Sequence, residues 1–279
     1  MKVKCAWKEL LSILPPVMKT DVDRLGRETL QEIRLRKNMT PVLVTSGGKT
    51  VLPQVTSQED LQYVINMACR YSPWTAVTTA QGYITAPGGH RIGLCGEVMQ
   101  QQGKTNGIRT VTSLNIRIAR DFPGISGNLW LRRENILILG PPGSGKTTLL
   151  RDLIRQRSQE ENISVVDERG EIFPAEAGYP AGPNTDVLTG CAKTSGVDLV
   201  LRTMSPDCIA VDEITASEDC DALLKAGWCG VCLLATAHAS NVADLRTRPV
   251  YTPLLDRGLF DTAIVLHRNK TWHSERIRV

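Results

Sequence analysis

The chain has 279 residues, of which 42% are hydrophobic, 22% charged and 5% aromatic, and its formal charge is +4. These proportions are ordinary for a globular protein of about one to two domains, and no apolar stretch approaches the roughly 20 residues that cross a bilayer, which excludes an integral membrane protein. The small charge is scattered and aromatics are few, so the footprint of a nucleic-acid partner is missing and none is expected.

The opening Met1-Lys2-Val3-Lys4-Cys5-Ala6-Trp7-Lys8-Glu9 is broken by charge so often that no apolar run in it exceeds three residues. That rules out a signal peptide's hydrophobic region and predicts a cytoplasmic location. The eight cysteines then read as reduced thiols packed as small apolar groups. Cys229-Gly230-Val231-Cys232 matches C-x-x-C, but no second pair stands at zinc-site spacing.

Residues 1–120 predict a small α+β domain. Val22 to Leu35 reads as a helix passing into a strand, and Pro41-Val42-Leu43-Val44-Thr45, Ser46-Gly47-Gly48-Lys49 and Thr50-Val51-Leu52 as strand, tight turn and strand. Ser57-Gln58-Glu59-Asp60 offers a cap and an acidic first turn, and Leu61, Val64, Ile65 and Ala68 follow at helical spacing. Gly82 to Thr85 and His90 to Leu94 read as strands around Ala86-Pro87-Gly88-Gly89. Residues 121–127, with one proline and two glycines, mark a linker.

Residues 128–279 predict an α/β domain with a mostly parallel sheet covered on both faces. Its strands are expected at Ile136 to Leu139, Ile163 to Val166, Cys208 to Val211, Val231 to Ala235 and Thr262 to Leu266. The polar tail from Asn269 to Val279 gives no warrant for a further domain.

The first of these strands leads into Gly140-Pro141-Pro142-Gly143-Ser144-Gly145-Lys146-Thr147, and Thr148 opens an apolar-periodic helix. Strand, glycine-rich loop and helix in this order form a P-loop. The glycines let consecutive N–H groups turn around an anion, Lys146 reaches the β- and γ-phosphates, and Thr147 supplies a hydroxyl for Mg²⁺. The expected ligands are therefore ATP and Mg²⁺.

Cys208-Ile209-Ala210-Val211-Asp212-Glu213 has the form of a Walker B strand. Asp212 is placed to hold Mg²⁺ from the second side, and Glu213 to orient or deprotonate a water in line with the γ-phosphate. Ile163-Ser164-Val165-Val166-Asp167-Glu168-Arg169 ends in a second acidic pair. In a parallel sheet the carboxyl ends share one edge, so Glu168 can face the same phosphate; the alternative is an exposed acid paired with Arg169. His238 ends a third strand at that edge, where imidazole can sense the γ-phosphate or serve a purely structural role.

The run from Leu201 to Ile214, with Ala226-Gly227-Trp228-Cys229-Gly230-Val231 and Thr236-Ala237-His238-Ala239, resembles the Walker B and His-box region of type II and type IV secretion ATPases. Val165 to Ile172, Gly88 to Gly96 and Ser113 to Arg120 are more closely similar to the stage III sporulation protein AA family, over both domains. The resemblance implies a RecA-like P-loop ATPase domain behind the smaller α+β domain. It also implies a homo-hexamer acting from the mother-cell cytoplasm on membrane-embedded sporulation channel proteins between mother cell and forespore. In secretion ATPases, arginines of the N-terminal domain complete the nucleotide site, and Arg117 and Arg120 match that segment; on the residues alone they read equally as a solvated basic strand face. Secretion ATPases usually carry glycine where Asp212 stands, which leaves the division of labour between Glu168 and Glu213 open.

Three other readings compete. A GTPase would carry Asn-Lys-x-Asp, and Asn269-Lys270-Thr271-Trp272 lacks the aspartate; no lid-like insertion suggests a small-molecule kinase. A nucleotide-dependent scaffold would not need Glu213. A nucleic-acid translocase would show a basic stripe with stacking aromatics.

Overall fold

The computed structural model describes residues 3–70, 82–101, 104–127, 129 and 133–277. The chain divides into an N-terminal unit, Lys2–Asp121 with Ala175–Gly178, and a C-terminal unit, Phe122–Pro174 with Tyr179–Val279.

In the N-terminal unit, α1 (Trp7–Ile13) and α2 (Pro16–Leu25) precede β1 (Leu30–Arg36). The helix expected from Val22 instead opens at Pro16, where a fixed φ suits the first helical position, and ends at Gly26 with φ +75°. Strands β2 (Val42–Thr45) and β3 (Gly48–Val51) flank the anticipated turn. Helix α3 (Gln58–Ala68) begins with a reciprocal cap: Ser57 Oγ accepts from Asp60 N–H at 3.0 Å, and the Asp60 carboxylate accepts from Ser57 N–H at 2.8 Å.

Strands β4 (Tyr83–Thr85), β5 (Arg91–Gln101) and β6 (Lys104–Arg117) complete an antiparallel sheet in the order β3-β2-β1-β6-β5-β4. Alternation along β1, β5 and β6 buries Ile33, Leu35, Ile92, Leu94, Leu114 and Ile116 in one cluster with Leu10 of α1 and Leu61 and Val64 of α3. Lys4 and Asp121 exchange both backbone hydrogen bonds, at 2.9 and 2.8 Å, and close this unit.

The C-terminal unit holds strands β7 (Ile136–Leu139), β8 (Ile163–Asp167), β9 (Thr185–Thr189), β10 (Cys208–Val211), β11 (Cys232–Ala237), β12 (Thr262–Leu266) and β13 (Trp272–Arg276). Their order is β13-β12-β7-β11-β10-β8-β9. All neighbours run parallel except β12 and β13. Strands β7, β8, β10 and β12 are buried along their full length, because helices cover both faces of such a sheet and leave no polar side. The helices are α4 (Lys146–Arg157), α5 (Lys193–Thr203), α6 (Ser217–Trp228), α7 (Val242–Arg246) and α8 (Thr252–Asp256).

Strand β9, strand β13 and the ties of the segment after Asp121 were not expected. Polar strand β13 lies antiparallel on β12 and gives the tail a place in the sheet. The segment after Asp121 is tied to α4: the Asp152 carboxylate accepts from Gly124 N–H at 2.9 Å, from Ser126 N–H at 2.8 Å and from the Ser126 hydroxyl. Burial opposes the charge on Asp152, yet these bonds and Arg155 hold its pKa below the usual aspartate range. Cys208 and Cys220 sit in the core, where burial pushes both thiols up to about 12. Among the described residues no helix is long and apolar enough to cross a membrane.

Candidate active site

The turn from β7 to α4 shapes the glycine loop. Gly140 is required by close approach, since a Cβ there would stand 2.5 Å from Ser144 Oγ and 2.9 Å from the Leu266 carbonyl oxygen. Gly143 and Gly145 have φ of +74° and +107°, with open space where a side chain would point. Ser144 Oγ is buried without a hydrogen-bond partner among the described residues. An orphaned hydroxyl, two left-handed glycines and the positive end of a 12-residue helix together fit a phosphate group. Thr147 and Thr148 occupy the first turn of that helix.

Lys146 is nearly buried, and its ammonium donates to the carbonyls of Gly140 at 2.9 Å and Pro141 at 3.3 Å. Burial lowers its pKa, and the charges of Asp212 and Glu213 oppose that shift. The same Nζ lies 3.0 Å from His238 Nδ1. His238 Nε2 in turn lies 2.6 Å from Glu213 Oε1. A neutral ring that accepts from Lys146 and donates its Nε2–H to Glu213 satisfies both contacts.

Strands β10 and β11 run in register from Cys208↔Cys232 to Val211↔Ala235, so Asp212 and Glu213 emerge beside Thr236. The Thr236 hydroxyl donates to Asp212 Oδ1 and accepts from Glu213 N–H, the latter at 2.8 Å. Glu213 has φ +54°, a conformation that costs a non-glycine residue about 1 to 3 kcal/mol and clusters at functional sites. Asp212 Oδ2 accepts from Thr147 Oγ1 at 2.7 Å, which pairs two hard oxygen donors suited to Mg²⁺.

A cleft beside them is lined by Asp167, Glu168, Arg169, Lys193, Asp212 and Glu213. The two acids at the end of β8 divide. Asp167 turns inward and accepts from the N–H groups of Glu171, Ile172 and Phe173 at 2.8 to 2.9 Å, shaping the following loop. Burial raises its pKa against those bonds. Glu168 faces the cleft, with Lys193 Nζ at 2.5 Å; that ammonium also lies 3.8 Å from Asp219. Arg169 Nη1 lies 3.1 Å from Glu213 Oε2, so the acid it meets is Glu213.

The loop Gly140 to Thr148, Asp212, Glu213, His238 and Glu168 thus gather at one edge of the C-terminal sheet. Arg117 and Arg120 belong to the N-terminal unit. Arg117 is exposed at the end of β6, between Glu32 and Arg91 in register, and Arg120 Nη1 donates to the Glu28 carbonyl at 2.8 Å. Thr236 and Lys193 were missed as site residues, and Arg169 was read only as a partner for the acids beside it. Thr236 stands two residues before His238 in the quoted motif, whereas Lys193 is far from any motif in the chain and meets Glu168 only through the fold.

The family model described as "Sporulation stage III, protein AA" matches residues 9–276. Stage III sporulation protein AA of Bacillus subtilis (strain 168) is 37% identical, over 94% of this chain and 91% of that protein. Among solved structures, the ATPase DotB of Legionella pneumophila is similar with a TM-score of 0.62 at 18% identity, over 90% of this chain and 76% of that one. The pilus retraction motor PilT, solved with bound ADP, gives a TM-score of 0.57 at 17% identity, over 89% and 76%. Likeness at this identity shows the fold alone, an α/β fold with a RecA-like, mostly parallel sheet.

Proposed function

The chain belongs to the sporulation stage III protein AA family, and on that footing we propose that it is an Mg²⁺-dependent ATPase of the secretion-motor type. The observation that carries this reading is the single chain of contacts from Lys146 through His238 to Glu213, with Asp212 held by Thr147 and Thr236 beside it. A phosphate cradle alone would serve any nucleotide-binding protein. A carboxylate held at positive φ and oriented by an imidazole is suited to hydrolysis.

In this reading the loop N–H groups and Lys146 bind the β- and γ-phosphates. Glu213, positioned by His238 and Arg169, orients the attacking water and takes its proton. Thr147 and Asp212 would hold Mg²⁺, which when bound neutralises charge on the phosphate oxygens. Glu168, fixed by Lys193, faces the same cleft and shapes the polar wall around the reacting phosphate, which assigns base work to Glu213.

The wider assignment follows the family. The protein assembles as a homo-hexamer, with Arg117 and Arg120 serving nucleotide sites from the N-terminal unit. It works from the mother-cell cytoplasm on membrane-embedded channel proteins between mother cell and forespore. Hydrolysis supplies the movement.

The test is phosphate release from ATP with Mg²⁺ by the full chain, with Lys146→Ala and Glu213→Gln as comparators. Loss of release in both variants is expected. Unchanged release in both would overturn the assignment, and nucleotide binding without release, even with membrane partners present, would identify a scaffold.

A further inference from the structure

The hydrolytic groups lie on one side of the P-loop strand. Asp212 and Glu213 follow β10 and His238 follows β11, whereas β12 and β13 lie on the other side of β7. That asymmetry would orient a bound nucleotide. On the ATPase reading its γ-phosphate would face the acids and the imidazole, so its nucleoside end would leave the cradle toward the β12–β13 hairpin.

The tip of this hairpin, residues 267–271, is built and braced. His267 N–H donates to the Thr271 carbonyl at 2.9 Å, and Lys270 N–H to the His267 carbonyl at 3.0 Å. The rings of His267 and His273 stack with centroids 5.0 Å apart, and His273 Nε2 lies 2.9 Å from Glu275 Oε1. The hairpin also touches the loop at two places. The Leu266 carbonyl packs against Gly140 so closely that no Cβ fits between them, and the Lys270 ammonium donates to the Gly143 carbonyl.

We propose that Lys270 is a nucleotide-binding residue, whose ammonium exchanges the Gly143 carbonyl for the α-phosphate of bound ADP or ATP. The inference rests on the ATPase reading of the same site and extends it to the nucleoside end. Two physical points favour the exchange. A phosphate oxygen carries more charge than a carbonyl, and charge-assisted bonds are roughly twice as strong. A lysine swings a compact charge on a flexible stem, so the tip need not move for its ammonium to change partner.

Calorimetric titration of the full chain with Mg-ADP and with inorganic orthophosphate separates the possibilities, because orthophosphate can fill the cradle but carries no second phosphoryl group to stand at the α position. Lys270→Ala is expected to weaken ADP about tenfold, the size of one charged hydrogen bond, and to leave orthophosphate within about twofold. Lys270→Arg should restore part of the ADP affinity. Unchanged ADP affinity in Lys270→Ala would overturn the proposal. So would parallel weakening of both ligands, which would mean that Lys270 only holds the loop. If the wild-type chain binds neither ligand, the ATPase reading itself fails, and this inference with it.

Discussion

Lys146 and His238 share a 3.0 Å contact across the mouth of the phosphate loop. The P-loop lysine therefore touches the ring whose other nitrogen lies 2.6 Å from Glu213 Oε1. On the ATPase reading, a bound phosphate would compete with His238 Nδ1 for the Lys146 ammonium, while the Nε2–H of the ring stays on Glu213.

His238→Ala should accordingly retain nucleotide binding through the loop and lose hydrolysis. A positioned acid–base system contributes on the order of 10² to 10⁴ in rate. We expect turnover to fall by about a hundredfold, measured by phosphate release at saturating ATP. A variant that keeps full turnover would remove His238 from the mechanism.

Thr236→Val tests the hydroxyl that serves Asp212 and Glu213 together. The substitution keeps the shape and leaves the Glu213 N–H without its acceptor, which costs about 1 to 3 kcal/mol. Chemical denaturation should show that loss. The Mg²⁺ concentration for half-maximal turnover should rise, because Asp212 loses its second anchor. Thr236→Ser should recover both properties.

His90 makes the N-terminal unit sensitive to acid. It is fully buried, its Nε2 lies 2.9 Å from the Ala6 carbonyl, and its Nδ1 accepts from Ala119 N–H at 3.2 Å. Burial lowers its pKa below the ordinary histidine value of 6.5. A base with a lowered folded pKa binds its proton more readily when unfolded, so its contribution to stability is present above pH 6.5 and is lost as pH falls toward the folded value. Melting temperatures between pH 7.5 and 5 should fall in the wild type and fall less in His90→Gln. Parallel curves would refute the assignment.

Gly196→Ala probes the packing of α5 on the sheet. A Cβ there would stand 2.4 Å from Val166 Cγ1 and 3.0 Å from Cys191 Sγ. Overpacking of this kind costs about 1 to 3 kcal/mol. Val166→Ala in the same chain should recover part of the loss, as read by denaturant midpoints.

Much of the C-terminal sheet was legible because parallel strands buried on both faces are continuous apolar runs. Ile136–Leu139, Cys208–Val211 and Thr262–Leu266 lie where that rule places them. The rule fails at the sheet edges. Thr185–Thr189 and Trp272–Arg276 are largely exposed, so neither carries an apolar run to be read, and both are specified by the strand they pair with. In the site, motif positions locate Lys146, Asp212 and Glu213. The partnership of Thr236 with the last two follows only from the β10–β11 register, which no spacing along the chain reports.

Two anchors stand close together near residue 122, one made by main chain and one by a carboxylate. Asp121 is clamped to Lys4 in one unit, and Gly124 and Ser126 are pinned to Asp152 on the phosphate-loop helix of the other. Between those fixed points lie Phe122 and Pro123, and proline has no freedom in φ. Within three residues the chain passes from a main-chain clamp in the first unit to a side-chain clamp on the glycine-loop helix of the second.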